Sequence, residues 1–230
     1  MSIRSLFLDA LYPRRLTCDL CGRETRLAPS GPGAYFCQDC LSQLHPISPS
    51  PEAFGYLDGV QAGLLYNDAA AKLIHAFKYA GAKYLADSLG AFLPSPPEAD
   101  WIIPVPLHPS RRRQRGYNQS QLLAQVLCRD TGIPLHTKSL ARIRNTPSQT
   151  QRTHAERLDN VRDAFLAGPG LQGSRILLVD DVVTTGSTLD ACAQALRMGG
   201  AAGVWAVTVC TAGEDLKTQN IKHLEGSFIE

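Results

Sequence analysis

The chain has 230 residues, 44% of them hydrophobic and 19% charged, with a formal net charge of +2. Those proportions suit one large globular domain, or one domain with a small module, and exclude a disordered or collagen-like chain. No run approaches the ~18 uninterrupted apolar residues of a membrane span, so no integral membrane segment is expected. The charge is unevenly spread. Between Trp101 and Phe165 eleven Lys and Arg stand against four acids, a local +7 that suits a polyanionic ligand such as pyrophosphate or a nucleic acid.

At the N-terminus Ile3, Leu6, Phe7, Ala10 and Leu11 recur at helical spacing, with Arg4 and Asp9 among them and no small-residue cleavage site. The pattern predicts a short amphipathic helix packed on the body, or lying on a membrane surface, rather than a secretory signal. The protein is therefore expected in the cytoplasm. There, seven cysteines point to metal or catalysis before disulfides. Cys18 and Cys21 form one C-x-x-C pair, Cys37 and Cys40 a second, fifteen residues later. That spacing falls in the four-cysteine zinc class, and two disulfides are the alternative. Each pair brackets a tight knuckle able to aim two thiolates at one structural ion. The intervening Ser30-Gly31-Pro32-Gly33 reads as the loop of a ribbon too small for its own core. Cys128, Cys192 and Cys210 lie in apolar periodic segments and read as inert core.

A proline-rich extended linker follows over residues 45–51, where His45 is a solvent-exposed linker residue or a fifth metal ligand. Val60, Ala62, Leu64 and Tyr66 alternate as in a half-buried strand. Asn67 or Asp68 then caps a helix to Tyr79, Gly81 breaks it, and a second helix runs to about Phe92. Residues 101–105 form an apolar strand ending in Pro-x-Pro, followed by a basic turn over residues 111–115. A helix over residues 118–130 comes next, then a strand over 134–140. Residues 141–153 carry no hydrophobic periodicity and read as a mobile polar loop, and residues 161–166 return to the sheet. The signature strand covers residues 175–180 and its helix residues 187–198, ended by Gly199-Gly200. Residues 204–210 make a last buried strand, with Trp101 and Trp205 in the core. The alternation from 100 to 210 predicts an α/β fold with a doubly wound parallel sheet.

Residues 176–189, ILLVDDVVTTGSTL, carry the chemistry. A buried strand delivers Asp180 and Asp181, then Thr184, Thr185, Gly186, Ser187 and Thr188 at the start of a helix. Backbone N–H groups and hydroxyls there suit a phosphate, and Gly186 allows close backbone approach. The carboxylates are acceptor-only groups suited to the vicinal hydroxyls of a ribose. Neither G-x-x-x-x-G-K-[ST] nor G-x-G-x-x-G after a strand is present. Together the two halves describe a site for a ribose 5-phosphate. One βα unit away, residues 102–124 add a second anion-binding constellation of Pro-x-Pro, basic residues and a helix start at Asn118 and Gln119.

The signature resembles that of the type I phosphoribosyltransferases, which bind phosphoribosyl pyrophosphate (PRPP). The whole order resembles the ComF family: four-cysteine ribbon, Lys78-Tyr79, PVPL…RGYNQ, Gln149…Arg157…Asn160-Val161, then VDDVVTTGST. These are phosphoribosyltransferase-like proteins connected with natural competence, transformation and DNA uptake. The resemblance implies a type I phosphoribosyltransferase fold over residues 51–230, behind an N-terminal helix and zinc ribbon over residues 1–50. It implies structural Zn2+, and PRPP bound with Mg2+. On this reading Thr184 to Thr188 hold the 5-phosphate, and Asp180 and Asp181 the ribose hydroxyls at the catalytic centre. Leu107, His108 and Arg115 approach the pyrophosphate, and a flexible loop with Arg142, Arg144, Gln149 and Arg157 closes over it. Single-stranded DNA and other DNA-uptake proteins are the further partners. Two outputs stay open: transfer of ribose phosphate to an acceptor, or binding alone as a PRPP-sensing, DNA-handling factor. After the last strand Thr211-Ala212-Gly213-Glu214 offers no aromatic or Lys placed to read a purine. Neither the acceptor nor the oligomeric state is legible.

Overall fold

The structure, a computed structural model, describes residues 17–24, 31–48, 52–144 and 164–212. The expected N-terminal helix, Gln149, Arg157 and the tail beyond residue 212 lie outside them.

One five-stranded sheet organises the chain, in the order β1-β2-β7-β6-β3. Its strands are β1 (Glu52–Phe54), β2 (Leu57–Leu65), β3 (Trp101–Pro104), β6 (Arg175–Val183) and β7 (Gly203–Thr211). Strands β2, β7, β6 and β3 are parallel, and β1 pairs antiparallel on the β2 edge. The helices are α1 (Gln38–Leu41), α2 (Asp68–Tyr79), α3 (Leu85–Gly90), α4 (Pro109–Arg115), α5 (Gln119–Thr131) and α6 (Ser187–Met198). Both faces are covered, as a parallel sheet requires. Leu177, Val179 and Val207 pack with Leu73 and Phe77 of α2, Leu89 of α3 and Leu123 of α5. Ile176, Leu178 and Val204 pack with Leu189, Cys192 and Leu196 of α6.

Five expectations are corrected. The signature strand continues past Asp180 to Val183, because Val182 and Val183 still pair with Cys210 and Thr211 of β7. Residues 134–140 make no regular strand. Pro134 has no N–H to donate, and only Leu135 bridges Ile102. Leu140–Arg142 (β4) and Phe165–Ala167 (β5) instead form a separate antiparallel ribbon, so the segment expected back in the main sheet leaves it. The basic turn is a helix, α4, with Pro109 in its first turn and the left-handed Gly116 closing it. The second helix of the α2–α3 pair ends at Gly90 rather than near Phe92.

The cysteine segment shares the main core. Cys18, Phe36, Cys40 and Leu44 are buried in the cluster that holds Phe77, Leu89 and Phe92, and the Phe36 and Phe92 ring centroids are 5.9 Å apart. Pro46 bridges Leu64, Ile47 N–H donates to the Gly63 carbonyl and Leu65 N–H to that of His45. The extended linker thus lengthens the edge begun by β1, and the His45 side chain is exposed.

Candidate functional site

The parallel strands deliver their loops to one edge, where open α/β sheets bind ligands. There β6 turns through Thr184, Thr185 and Gly186 into α6. Gly186 is the N-cap, buried and left-handed at φ 74°, and a Cβ on it would lie 2.9 Å from the Phe54 ring. Thr185 Oγ1 and Ser187 Oγ share a hydrogen bond of 2.8 Å. Thr184 is exposed and Thr188 half-buried. The loop therefore presents hydroxyls beside the first-turn N–H groups of a twelve-residue helix, of which that of Ser187 donates to Thr185 Oγ1 at 3.5 Å, and an anion is favoured there. Asp190 helps fix that turn: its N–H donates to the Gly186 carbonyl, and its Oδ1 accepts from Tyr56 N–H at 2.6 Å.

Asp180 and Asp181 are both buried, at 9% and 3% exposure. Asp180 Oδ1 accepts from Ser120 Oγ at 2.7 Å and from Asp181 N–H at 2.9 Å. Ser120 sits in the first turn of α5, beyond the point where β3 has ended. Burial, and then the neighbouring Asp181 carboxylate, push the Asp180 carboxyl up to about 7, against the Ser120 hydrogen bond and Lys78. Asp181 shares its face of β6 with Leu177 and Val179 and meets Lys78 of α2, with Nζ 2.5 Å from Oδ2. Lys78 was visible in the sequence only as part of a resemblance, and Ser120 not at all. Their partners are more than fifty residues away along the chain, and only tertiary structure joins them.

The second constellation lies after β3. Leu107 and His108 are half-buried. His108 caps α4, its Nδ1 accepting from Ser110 N–H at 3.3 Å and lying 2.7 Å from Ser110 Oγ. Arg115 donates to Gln119 Oε1 and lies over the Tyr79 ring, 5.2 Å from its centroid. Asn118 caps α5 and donates from Nδ2 to the Val105 carbonyl at 3.0 Å, tying the β3 loop to the helix that carries Ser120. Arg142 in β4 is half-buried over the Phe165 ring, and Arg144 is exposed. Burial, then Arg111, pull the Arg142 guanidinium down, while Cys192 and Asp180 raise it.

At the cysteine site Zn–S bonds of ~2.3 Å set tetrahedral S···S edges of about 3.8 Å. The Cys21 and Cys37 sulfurs are 3.9 Å apart, and the ligand atoms of Cys18, Cys21, Cys37 and Cys40 all lie within 4.8 Å of one another. The four thiols fit a closed structural zinc site. Hydrogen bonds from the Arg23 backbone and then its side chain hold the Cys21 thiol down at about 6, a thiolate at neutral pH. Among the described residues no other group of three or more His, Cys, Asp or Glu could hold a metal.

A doubly wound sheet with buried acids, a glycine turn and a hydroxyl-lined helix start at one strand end defines a type I phosphoribosyltransferase domain. Residues 114–229 match the phosphoribosyl transferase domain family. Over 210 residues the chain is 31% identical to DNA utilization protein YhgH of Salmonella typhi, covering 84% of this chain and 89% of that protein. It is 32% identical over 202 residues to competence protein F of Haemophilus influenzae, covering 78% of each. It is 30% identical over 200 residues to competence protein ComFC of Bacillus subtilis, covering 84% of this chain and 76% of that one. The chain belongs to the ComF family. Among the described residues no helix is long and apolar enough to cross a membrane.

Proposed function

We propose that this protein binds PRPP in the cytoplasm and serves DNA uptake, as the names of its competence-protein relatives suggest. One observation carries the ligand: a left-handed glycine opens α6 directly behind two buried carboxylates on the same strand. Thr184, Thr185, Ser187 and Thr188 donate to the 5-phosphate, with Gly186 giving the backbone room. Asp180 and Asp181 accept from the ribose hydroxyls. His108 has Nδ1 engaged by Ser110 N–H, which leaves Nε2 as the ring nitrogen to meet a diphosphate oxygen. Arg115 adds positive charge there, and the segment with Arg142, Arg144, Gln149 and Arg157 shields the sugar from water. Departure of pyrophosphate leaves an oxocarbenium-like ribose, which excluded water and neutralised leaving-group oxygens favour. Mg2+, when bound with PRPP, would supply part of that neutralisation. Residues 1–50 serve as a zinc-held ribbon module on this domain. No acceptor is proposed.

The test is a thermal-shift titration with PRPP and Mg2+. A ligand at a hundredfold excess over Kd stabilises by about 2.7 kcal/mol. The wild type should shift and the Asp180→Asn/Asp181→Asn variant should not. A wild type indifferent to PRPP sinks the reading.

A second reading, direct binding of single-stranded DNA, is favoured by one surface. Tyr79 is 68% exposed, with the His75 ring centroid 4.9 Å from its own and Arg115 over its face. An exposed aromatic ring beside a guanidinium is a base-stacking platform. Salt-sensitive binding of single strands, weakened by Tyr79→Ala, supports it. Absence of binding at low salt removes it.

A further inference from the structure

Lys78 is a cation withdrawn from water beside the acid pair, and the reading above gives it no task. Its side chain is 22% exposed, against 4% for its partner Asp181. Taking a charge out of water costs several kcal/mol before pairing returns any of it. A lysine in the last turn of a helix ordinarily extends into solvent, where it complements the helix dipole at no such cost.

The scaffold prevents that escape on both sides. Phe77, immediately before, is fully buried, and its carbonyl accepts from the Tyr117 hydroxyl. The Phe77 and Tyr117 rings lie 6.1 Å apart. Tyr79, immediately after, has the Arg115 guanidinium 5.2 Å over one face of its ring. The end of α2 is thereby pinned to the junction of α4 and α5, and Lys78 is aimed at β6.

Lys78 lies beside two adjacent buried acids, and the geometry pairs its ammonium with only one of them. Asp181 has the ammonium at 2.5 Å, while the Asp180 carboxyl has the Ser120 hydroxyl. Burial works to lower the Lys78 pKa, but Asp181, and Asp180 behind it, raise it overall, so the amine stays charged. The other titratable groups around Asp180 are Arg142 from β4 and Cys192 from α6, and Cys210 of β7 faces Asp181.

We propose that Lys78 is a positioning residue for the sugar-binding acids: its ammonium holds Asp181 as an oriented acceptor, while Asp180 is left to the Ser120 hydroxyl. The inference rests on the PRPP reading above. It gives the site one fixed acceptor and one adaptable donor–acceptor, a better match to a vicinal diol than two equivalent carboxylates.

Calorimetric titration of PRPP with Mg2+ tests it on the full chain, from pH 5.5 to 8.5, with inorganic phosphate as a probe of the 5-phosphate loop alone. Lys78→Met should weaken PRPP at least tenfold at pH 7.5 and move the midpoint of its pH profile upward. Phosphate affinity should hold, and Lys78→Arg should restore much of the PRPP affinity. Carbon-13 shifts should show one of the two carboxyls titrating between pH 5 and 8 in wild type, and both in Lys78→Met. Wild-type PRPP affinity and pH profile in Lys78→Met overturn the proposal, and so does parallel loss of PRPP and phosphate, which marks a merely structural role. Should Lys78→Met not fold, Lys78→Met/Asp181→Asn replaces it, with both charges removed. That variant should bind PRPP as Asp181→Asn does; a further tenfold loss means Lys78 acts independently of Asp181 and overturns the proposal. A wild type that binds no PRPP removes the underlying reading instead.

Discussion

Gly186 offers a sharp test of the turn that opens α6, because two costs of replacing it separate. Its φ of 74° lies in the left-handed region, where alanine pays about 1–2 kcal/mol. A Cβ would also lie 2.9 Å from Phe54 Cε1 and 3.1 Å from Cζ, closer than carbon atoms pack. Overpacking ordinarily costs about 1–3 kcal/mol, and the half-buried Phe54 ring has room to swing, so the lower end applies. Gly186→Ala should therefore destabilise by about 2–3 kcal/mol. For a chain of this length each kcal/mol moves Tm by about 2–4 °C, so the melt should fall by roughly 5–10 °C. Urea denaturation supplies the free energy. In a Phe54→Ala background the contact disappears, and the same substitution should cost only about 1–2 kcal/mol from backbone strain. A cost within about 0.5 kcal/mol of zero, or an equal cost in both backgrounds, refutes the geometry of this turn.

Two further outcomes follow from the buried groups. The Asp180 carboxyl is raised in the folded protein, from 3.8 to about 7, so the native state binds its proton more tightly than the unfolded chain. Its contribution to stability is present in full below about pH 4 and is lost as pH rises through about 7. Asp180→Asn should flatten the stability-against-pH curve in that window, measured by urea melts; an unchanged slope contradicts the assignment. Chelation should strip zinc and free the knuckles, so hydrogen exchange should accelerate at Cys18 N–H, bonded to the Arg23 carbonyl, and at Leu41 N–H, bonded to that of Cys37. Metal analysis that finds no zinc in the purified protein, or exchange indifferent to chelator, counts against the site.

Where local chemistry decides the structure, the sequence was a good guide. The helix over residues 187–198 forms with those bounds, Asn67 caps α2 with its side chain, and the four cysteines converge. Where pairing partners decide, it was not. The strand of residues 175–180 runs on to Val183 only because β7 lies alongside, and the three-residue strands β4 and β5 are too short to show a period. α4 has no buried residue and hence no hydrophobic periodicity, although Pro109 at its start and Gly116 at its end were legible stop signals. In the site, the acids and hydroxyls of β6–α6 could be read from their order. Ser120 and Lys78 could not, because each meets its carboxylate only through packing of α5 and α2 on the sheet.

The shared burial of Phe36, Leu44 and Phe92 with Phe77 makes the cysteine ribbon inseparable from what it covers. A chain trimmed to begin at residue 51 would lay that aromatic pocket open and loosen the last turn of α2 by its apolar side. Oxidation of the thiols, or a partner that pried the ribbon away, would be felt at Lys78 and the acid pair it meets without any contact there.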